Sequence, residues 1–275
     1  MLISLHPSPL SPNEYKPMSV SSDLSSQSTS SSSTESISSG HQGVSDHYHS
    51  LYEDFYTHQD PYWRAIGADQ KYDNIRKLCS HIPHQKILEI GAGDGAISER
   101  LCTHQFCTEL HALDISASGI QKLKQKQIPR IRQAQVFDGR HVPYQDQSFD
   151  LVILSHVVEH LEHPRQLLYE ACRVGKAVFV EVPLEDTRTL SPKYVPDHVG
   201  HINVYSPRTI RHLLQTCGLE IQKEYVHVPS LKAHRHSSGL KGILKYTTKR
   251  MALSVIPSLS TQMFTYHASF LGIPK

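Results

Sequence analysis

Apolar and polar positions alternate in blocks along the second half of this chain, and the blocks change period from strand-like to helix-like. KILEI (86–90) is a short apolar run that ends in glycines, and AISERLCTH (96–104) follows with helical spacing. TELHALDI (108–115) reads as the next strand and SASGIQKLKQ (116–125) as the next helix, with Ser116 as its N-cap. RQAQVFD (132–138) predicts a third strand. FDLVILS (149–155) is continuously apolar, as a strand covered on both faces should be. VVEHLEHPRQLLYEACRV (157–174) reads as a helix with Pro164 near its first turn, and AVFVEVP (177–183) as a fifth strand. Strands alternating with helices predict a parallel, doubly wound α/β sheet. Ligands of such sheets bind beyond the carboxyl ends of the strands.

Composition changes the picture only at the edges of this pattern. From Ser19 to Ser39, 13 of 21 residues are serine, and no aromatic occurs there. Such a stretch buries too little apolar surface to offset its ordering entropy, so residues 1–47 are expected to be a disordered tail. Lys16 is the only basic residue before Arg64, which argues against a transit peptide. No apolar run approaches the roughly 18 residues of a membrane span. Five scattered cysteines without a C-x-x-C pair suit reduced thiols in a cytoplasmic protein. The net charge of +2 selects no partner by itself.

SHVVEHLEH (155–163) contains His156-x-x-Glu159-His160, the residue order of one class of zinc peptidases. On a helix the two histidines would share one face, with the glutamate as base. The motif begins directly after a central strand, at the mouth of the ligand crevice, and no second domain supplies a third ligand. That placement counts against a peptidase.

LEIGAGDGA (88–96) places Gly91, Gly93 and Gly95 between a strand and a helix and fits G-x-G-x-x-A, the dinucleotide fingerprint. Acidic residues at successive strand ends point elsewhere. Glu89 would face a positive or hydrogen-bond-donating ligand end, Asp114 could accept ribose hydroxyls, and Asp138 could accept an exocyclic adenine amine. Three acids suit cationic S-adenosylmethionine and suit a pyrophosphate poorly.

With these motifs together the chain resembles the class I S-adenosylmethionine-dependent methyltransferases over about residues 60–226. LEIGAGDGAISERL looks like the family's first motif and LDIS like the acidic end of its second strand. FDGRHVPYQDQSFDLVILSHVVEHL is similar to the family pattern D-(A/G)-x-x-L-P-F-x-D-x-S-F-D-x-V, with Val142 and Tyr144 as mild departures. GHINVYSPRTIRHLLQTCGLEI resembles the segment whose helix leads into the sixth strand. The resemblance implies a Rossmann-like, doubly wound seven-stranded sheet with its last strand antiparallel, for which MFTYHASFLGI (263–273) is the candidate.

By position, the resemblance implies that Glu89, Gly91, Gly93 and Gly95 cradle the methionine part of S-adenosylmethionine. Asp114 would hold the ribose, Asp138 with Gly139 the adenine, and Ser155 with His156 would flank the sulfonium. Some quinone O-methyltransferases of the family bind a divalent metal through Glu-x-x-Glu-His here. His156 stands where the first Glu would, so no metal is expected. His156 is the first candidate base and His201 the second.

Residues 48–275 would then form the methyltransferase domain, with 48–80 as a helical lid on which Tyr48, Tyr52 and Tyr56 share a face. From His227 to Lys275 there are seven Lys or Arg and no acidic residue. Residues 227–262 therefore predict a basic helical insertion, either a solvated face or a weak membrane-surface contact through 238–256. The expected reaction is O- or N-methylation of a small-molecule, lipid or glycan-intermediate acceptor, with no clear sign of a nucleic-acid partner. The alternatives are a catalytically silent protein of this fold and a nicotinamide-dependent oxidoreductase.

Overall fold

The computed structural model describes residues 60–190 and 200–275. The tail expected at 1–47 and the tyrosine face of Tyr48, Tyr52 and Tyr56 lie outside the described residues. In chain order the elements are α1 (Pro61–Cys79), β1 (Lys86–Ile90), α2 (Ala96–Thr103), β2 (Glu109–Asp114), α3 (Ala117–Gln125), β3 (Ile131–Val136) and β4 (Leu151–Ser155). After a short 3₁₀ turn (Val158–His160) come α4 (Pro164–Val174), β5 (Val178–Leu184), α5 (Pro207–Thr216), β6 (Leu219–His227), α6 (Leu231–Val255), α7 (Pro257–Met263) and β7 (Tyr266–Pro274).

The strands form one sheet in the order β3-β2-β1-β4-β5-β7-β6. β1 to β5 run parallel, and β7 runs antiparallel between β5 and β6. This is the seven-stranded, doubly wound arrangement expected from the sequence. The order reverses between β1 and β4, so the crevice opens where the glycine turn and the His156 motif both emerge.

Each central strand is buried on both faces, which is why its sequence is a run rather than an alternation. Leu88, Ile90, Val152 and Leu154 face the layer that holds Leu167, Leu168, Ile210 and Leu214. Ile87, Leu110, Leu151, Ile153 and Phe179 face the layer that holds Ile75, Leu101 and Leu123. Truncating a fully buried ring such as Phe179 to alanine would cost about 3–5 kcal/mol.

One expected element is corrected. Residues 157–163 are not the start of a helix, because Pro164 is the first helical residue of α4 rather than an interruption in it. Proline favours that position, where its missing N–H is not needed, and it keeps the preceding His163 out of helical backbone (φ −124°, ψ 68°). His156 and His160 therefore do not share a helical face. His160 closes a single 3₁₀ turn, and His156 lies before it.

Candidate active site

The glycine turn is shaped by close approach. Gly91 and Gly95 both have φ of +79°. A Cβ on Gly91 would lie 2.3 Å from the Val157 side chain, and one on Gly95 would lie 1.9 Å from Leu123. Only glycine satisfies both conditions. Asp114, at the end of β2, accepts from the Gly93 N–H (2.6 Å) and the Ser116 N–H (2.8 Å). It therefore braces the turn from the neighbouring strand, while burial pushes its pKa up against those two hydrogen bonds. Arg64 of α1 pairs with Asp94 at the tip of the turn, a tie the sequence did not signal.

Glu89 is 1% exposed. Its Oε2 accepts from the Ser98 hydroxyl, and its Oε1 is buried without a hydrogen-bond partner. Burial pushes its pKa up to about 8. A carboxyl kept dry with one oxygen unsatisfied suits a cationic ligand group, as the ammonium of S-adenosylmethionine would be. Asp138 lies just past β3, exposed, and its Oδ1 accepts from the N–H groups of Arg140 and His141 (both 2.8 Å). That oxygen closes a turn. Gly139 follows with φ +74° and packs near Ile115. Ser155 ends β4 with its hydroxyl buried and unpartnered.

Across the switch point the chemistry is denser. His156 has φ of +58°, a left-handed conformation rare outside glycine, held by its N–H donating to the Glu181 carbonyl (2.8 Å). Its ring lies between two buried carboxylates, with Nδ1 3.1 Å from Glu159 and Nε2 3.4 Å from Glu181. These are ion pairs rather than aligned hydrogen bonds, so His156 Nε2 and both Glu159 oxygens retain unmet hydrogen-bonding capacity. Burial and the Lys71 ammonium depress the His156 pKa, but the two carboxylates outweigh them and raise it. Burial alone would raise Glu159 and Glu181, yet His156 holds both well below the ordinary carboxylate range.

Glu181 is the hub of this half. Its Oε2 accepts from Asn74 of α1 (3.0 Å) and from Ser269 of β7 (2.9 Å). Asn74 also reaches His227 at 3.1 Å, and the His267 ring stands edge-on to His156 at 4.7 Å. Burial drives His267 far below the usual histidine range, so it is a neutral imidazole. Lys71 faces Glu181, Glu159 and Glu89, and burial lowers its pKa despite them. None of Lys71, Asn74, Glu181, His227 and His267 was singled out in the sequence. Glu181 alone left a signal, as the one charge inside AVFVEVP.

His201 lies on the other side of Glu159. The N–H groups of Ile202 and Asn203 donate to the Glu159 carbonyl (3.0 and 2.9 Å), and His160 Nδ1 donates to the Gly200 carbonyl at 3.0 Å. This brings the His201 ring to 4.8 Å from His160, with its Nδ1 2.9 Å from Glu185. The structure thus gathers His156, Glu159, His160 and His201 at one place. Among the described residues two groups could hold a cation, His156 with Glu181 and His267, and Glu159 with His160 and His201, each with donor atoms within 4.8 Å of one another.

A methyltransferase-domain family matches residues 62–224, from the first turns of α1 to the middle of β6. The chain belongs to this family. Among curated proteins it is 30% identical over 102 residues to an uncharacterized protein of Methanocaldococcus jannaschii, covering 37% of this chain and 45% of that one. The chain spans less than half the length of the curated relatives it matches. Its fold is similar to an S-adenosylmethionine-dependent methyltransferase of Thermotoga maritima, described as a possible histamine N-methyltransferase. The TM-score is 0.57 at 14% identity, over 82% of this chain and 99% of that one. It is also similar to phosphoethanolamine N-methyltransferase 2 of Haemonchus contortus in complex with S-adenosyl-L-methionine. There the TM-score is 0.56 at 14% identity, over 82% of this chain and 60% of that one. At such identities these likenesses establish the class I methyltransferase fold and no substrate.

Proposed function

We propose that the protein binds S-adenosylmethionine and transfers its methyl group to an oxygen or nitrogen of a small-molecule, lipid or glycan-intermediate acceptor. The observation that carries this reading is the contact between the two halves of the crevice. Gly91 can be only glycine because Val157 presses on it, and Val157 is the neighbour of His156. The glycine turn and the buried ionic cluster therefore share one wall.

When bound, S-adenosylmethionine supplies an electrophilic methyl group on a positively charged sulfur, which needs no acid or metal to activate it. On this reading the chain's residues divide the remaining work. Glu89 takes the cationic amine with its unsatisfied oxygen, and Asp114 takes ribose hydroxyls while it braces the turn. Asp138 with Gly139 edges the adenine, and Ser155 with His156 lines the sulfonium side. His156 takes the acceptor's proton at Nε2, and the carboxylates that raise its pKa stabilise the imidazolium that forms. His201, oriented by Glu185, is the second candidate for that role. Burial of the whole cluster excludes water and strengthens each of these interactions.

The test is transfer of a labelled methyl group from S-adenosylmethionine into pools of hydroxyl-bearing and amine-bearing metabolites and lipids. Label should enter one pool. His156→Ala should lower the rate by about 10²–10⁴-fold if the acceptor is a hydroxyl. Tight NAD binding with none of the adenosyl ligand would overturn the assignment, and no transfer into any pool would favour a silent binding protein.

A further inference from the structure

Between β6 and β7 the chain makes a detour through α6 and α7, and this detour has an outer face that does not look like a solvated helix. β6 ends, and β7 begins, at the end of the sheet where β5 carries Glu181 and Leu184. The connection therefore rises from the same end as the candidate active site. Gly239 (φ 55°, ψ −132°) kinks α6 and separates its first two turns from the rest.

Beyond that kink Leu240, Leu244, Met251 and Val255 are spaced four, seven and four apart. At 100° per residue they fall within one narrow arc of the helix. They are 84%, 69%, 69% and 71% exposed. The opposite arc holds Gly242, which is buried against the His234 backbone of the helix's own first turns, Leu253, which packs on the core, and Lys249, whose Nζ donates to Thr265. The apolar stripe thus points directly away from the body of the protein. Ile256, between the two helices, and Leu259 and Met263 of α7 are exposed as well.

One exposed leucine needs no explanation, but seven large apolar side chains along two consecutive helices do. Lys241 and Lys245 flank the stripe on one side and Arg250 on the other, and Lys232 and Arg235 precede it. No acidic residue follows Glu224. A second copy docking stripe to stripe would bring these cations together with no acid on either element to pair them. A nucleic acid would answer the charge and leave the stripe wet. An apolar strip edged by lysine matches a surface that is anionic outside and apolar just beneath. Among the described residues no helix is long and apolar enough to cross a membrane, so the helix would lie on such a surface.

We propose that α6 and α7 dock the protein on an anionic lipid surface, with Leu240, Leu244, Met251 and Val255 at the acyl boundary and Lys241, Lys245 and Arg250 among the headgroups. The docking is independent of the methyl-transfer reading, and its test requires no turnover. The full chain is sedimented with phosphatidylcholine vesicles containing about 30% phosphatidylglycerol, and with phosphatidylcholine vesicles alone.

Binding should favour the anionic vesicles by at least about tenfold and weaken as salt rises. The exposed pair Leu244→Asp with Met251→Asp should cut that binding by at least about tenfold, with the circular dichroism spectrum unchanged. Lys241→Glu with Lys245→Glu should do the same. Equal or negligible binding to both vesicles would overturn the proposal, as would full binding by the aspartate pair. Self-association of the wild type that the aspartate pair abolishes, without vesicle binding, would make the stripe an interface between copies and overturn it too.

Discussion

The two sides of the crevice are built on different principles. On the side of β1, β2 and β3 each strand end contributes one acid, and at Asp114 and Asp138 that acid is tied to backbone N–H groups close by in sequence or in the adjoining turn. On the side of β4, β5 and β7 the acids are tied to side chains instead, Glu159 to its neighbours His156 and His160, and Glu181 to remote groups of α1 and β7 and to His156 just past β4. The first side is a cradle made mostly of backbone. The second is a desolvated charge cluster whose members hold one another's protonation states. On the proposed function, the cradle would govern cofactor affinity and the cluster the chemistry and much of the stability.

The largest expected effect is therefore at Glu181. Glu181→Ala strips the acceptor from Asn74 and Ser269 and leaves His156 with Glu159 alone. Removing one partner of a buried pair costs about 3–5 kcal/mol, which urea unfolding would register. If stability fell by less than a third of that, the cluster would not be the tightly coupled unit described. Next comes Asp114→Ala, which should weaken S-adenosylmethionine binding by roughly 1.5–3 kcal/mol, the scale of charge-assisted hydrogen bonds.

Glu89→Gln should show a smaller effect of opposite sign on stability. The folded-state pKa of Glu89 is raised, from 4.5 to about 8, so its stability contribution is intact below the unfolded value and is lost as pH climbs through about 8. The ligand-free glutamine variant should then be more stable than the wild type at pH 9, by about 1–2 kcal/mol, and should bind the cationic ligand more weakly. Melting curves at pH 4 and pH 9 would show the gain absent below the unfolded pKa and growing as pH rises from 4.5 through about 8. Deleting residues 1–40 should leave melting temperature and ligand affinity unchanged, as expected of a serine-rich segment too polar to pack.

The same contrast explains what could be read from the sequence. The alternation of strands and helices, the glycine turn and the candidate acids at 89, 114 and 138 were legible because each belongs to a strand-turn-helix unit a few residues long. Glu181 meets Ser269 and His267 because β5 pairs antiparallel with β7, and Asn74 reaches Glu181 from α1, far away in sequence. No local pattern encodes that register. The shared helical face first read for His156 and His160 failed for a local reason, since Pro164 opens α4 and leaves His156 to a left-handed turn. The basic character of α6 was also visible in sequence, whereas the outward direction of its apolar stripe depends on which face Gly242 and Leu253 bury.

The central claim is that two adjoining but separable sites share the crevice. Calorimetric titration of S-adenosylhomocysteine into the wild type, Asp114→Ala and His156→Ala tests it most directly. The wild type should bind, Asp114→Ala should lose at least about tenfold, and His156→Ala should stay within about threefold, because a group acting on the acceptor contributes little to cofactor affinity. Equal losses in the two variants would contradict the division. No binding by the wild type, with NAD bound instead, would contradict the account as a whole.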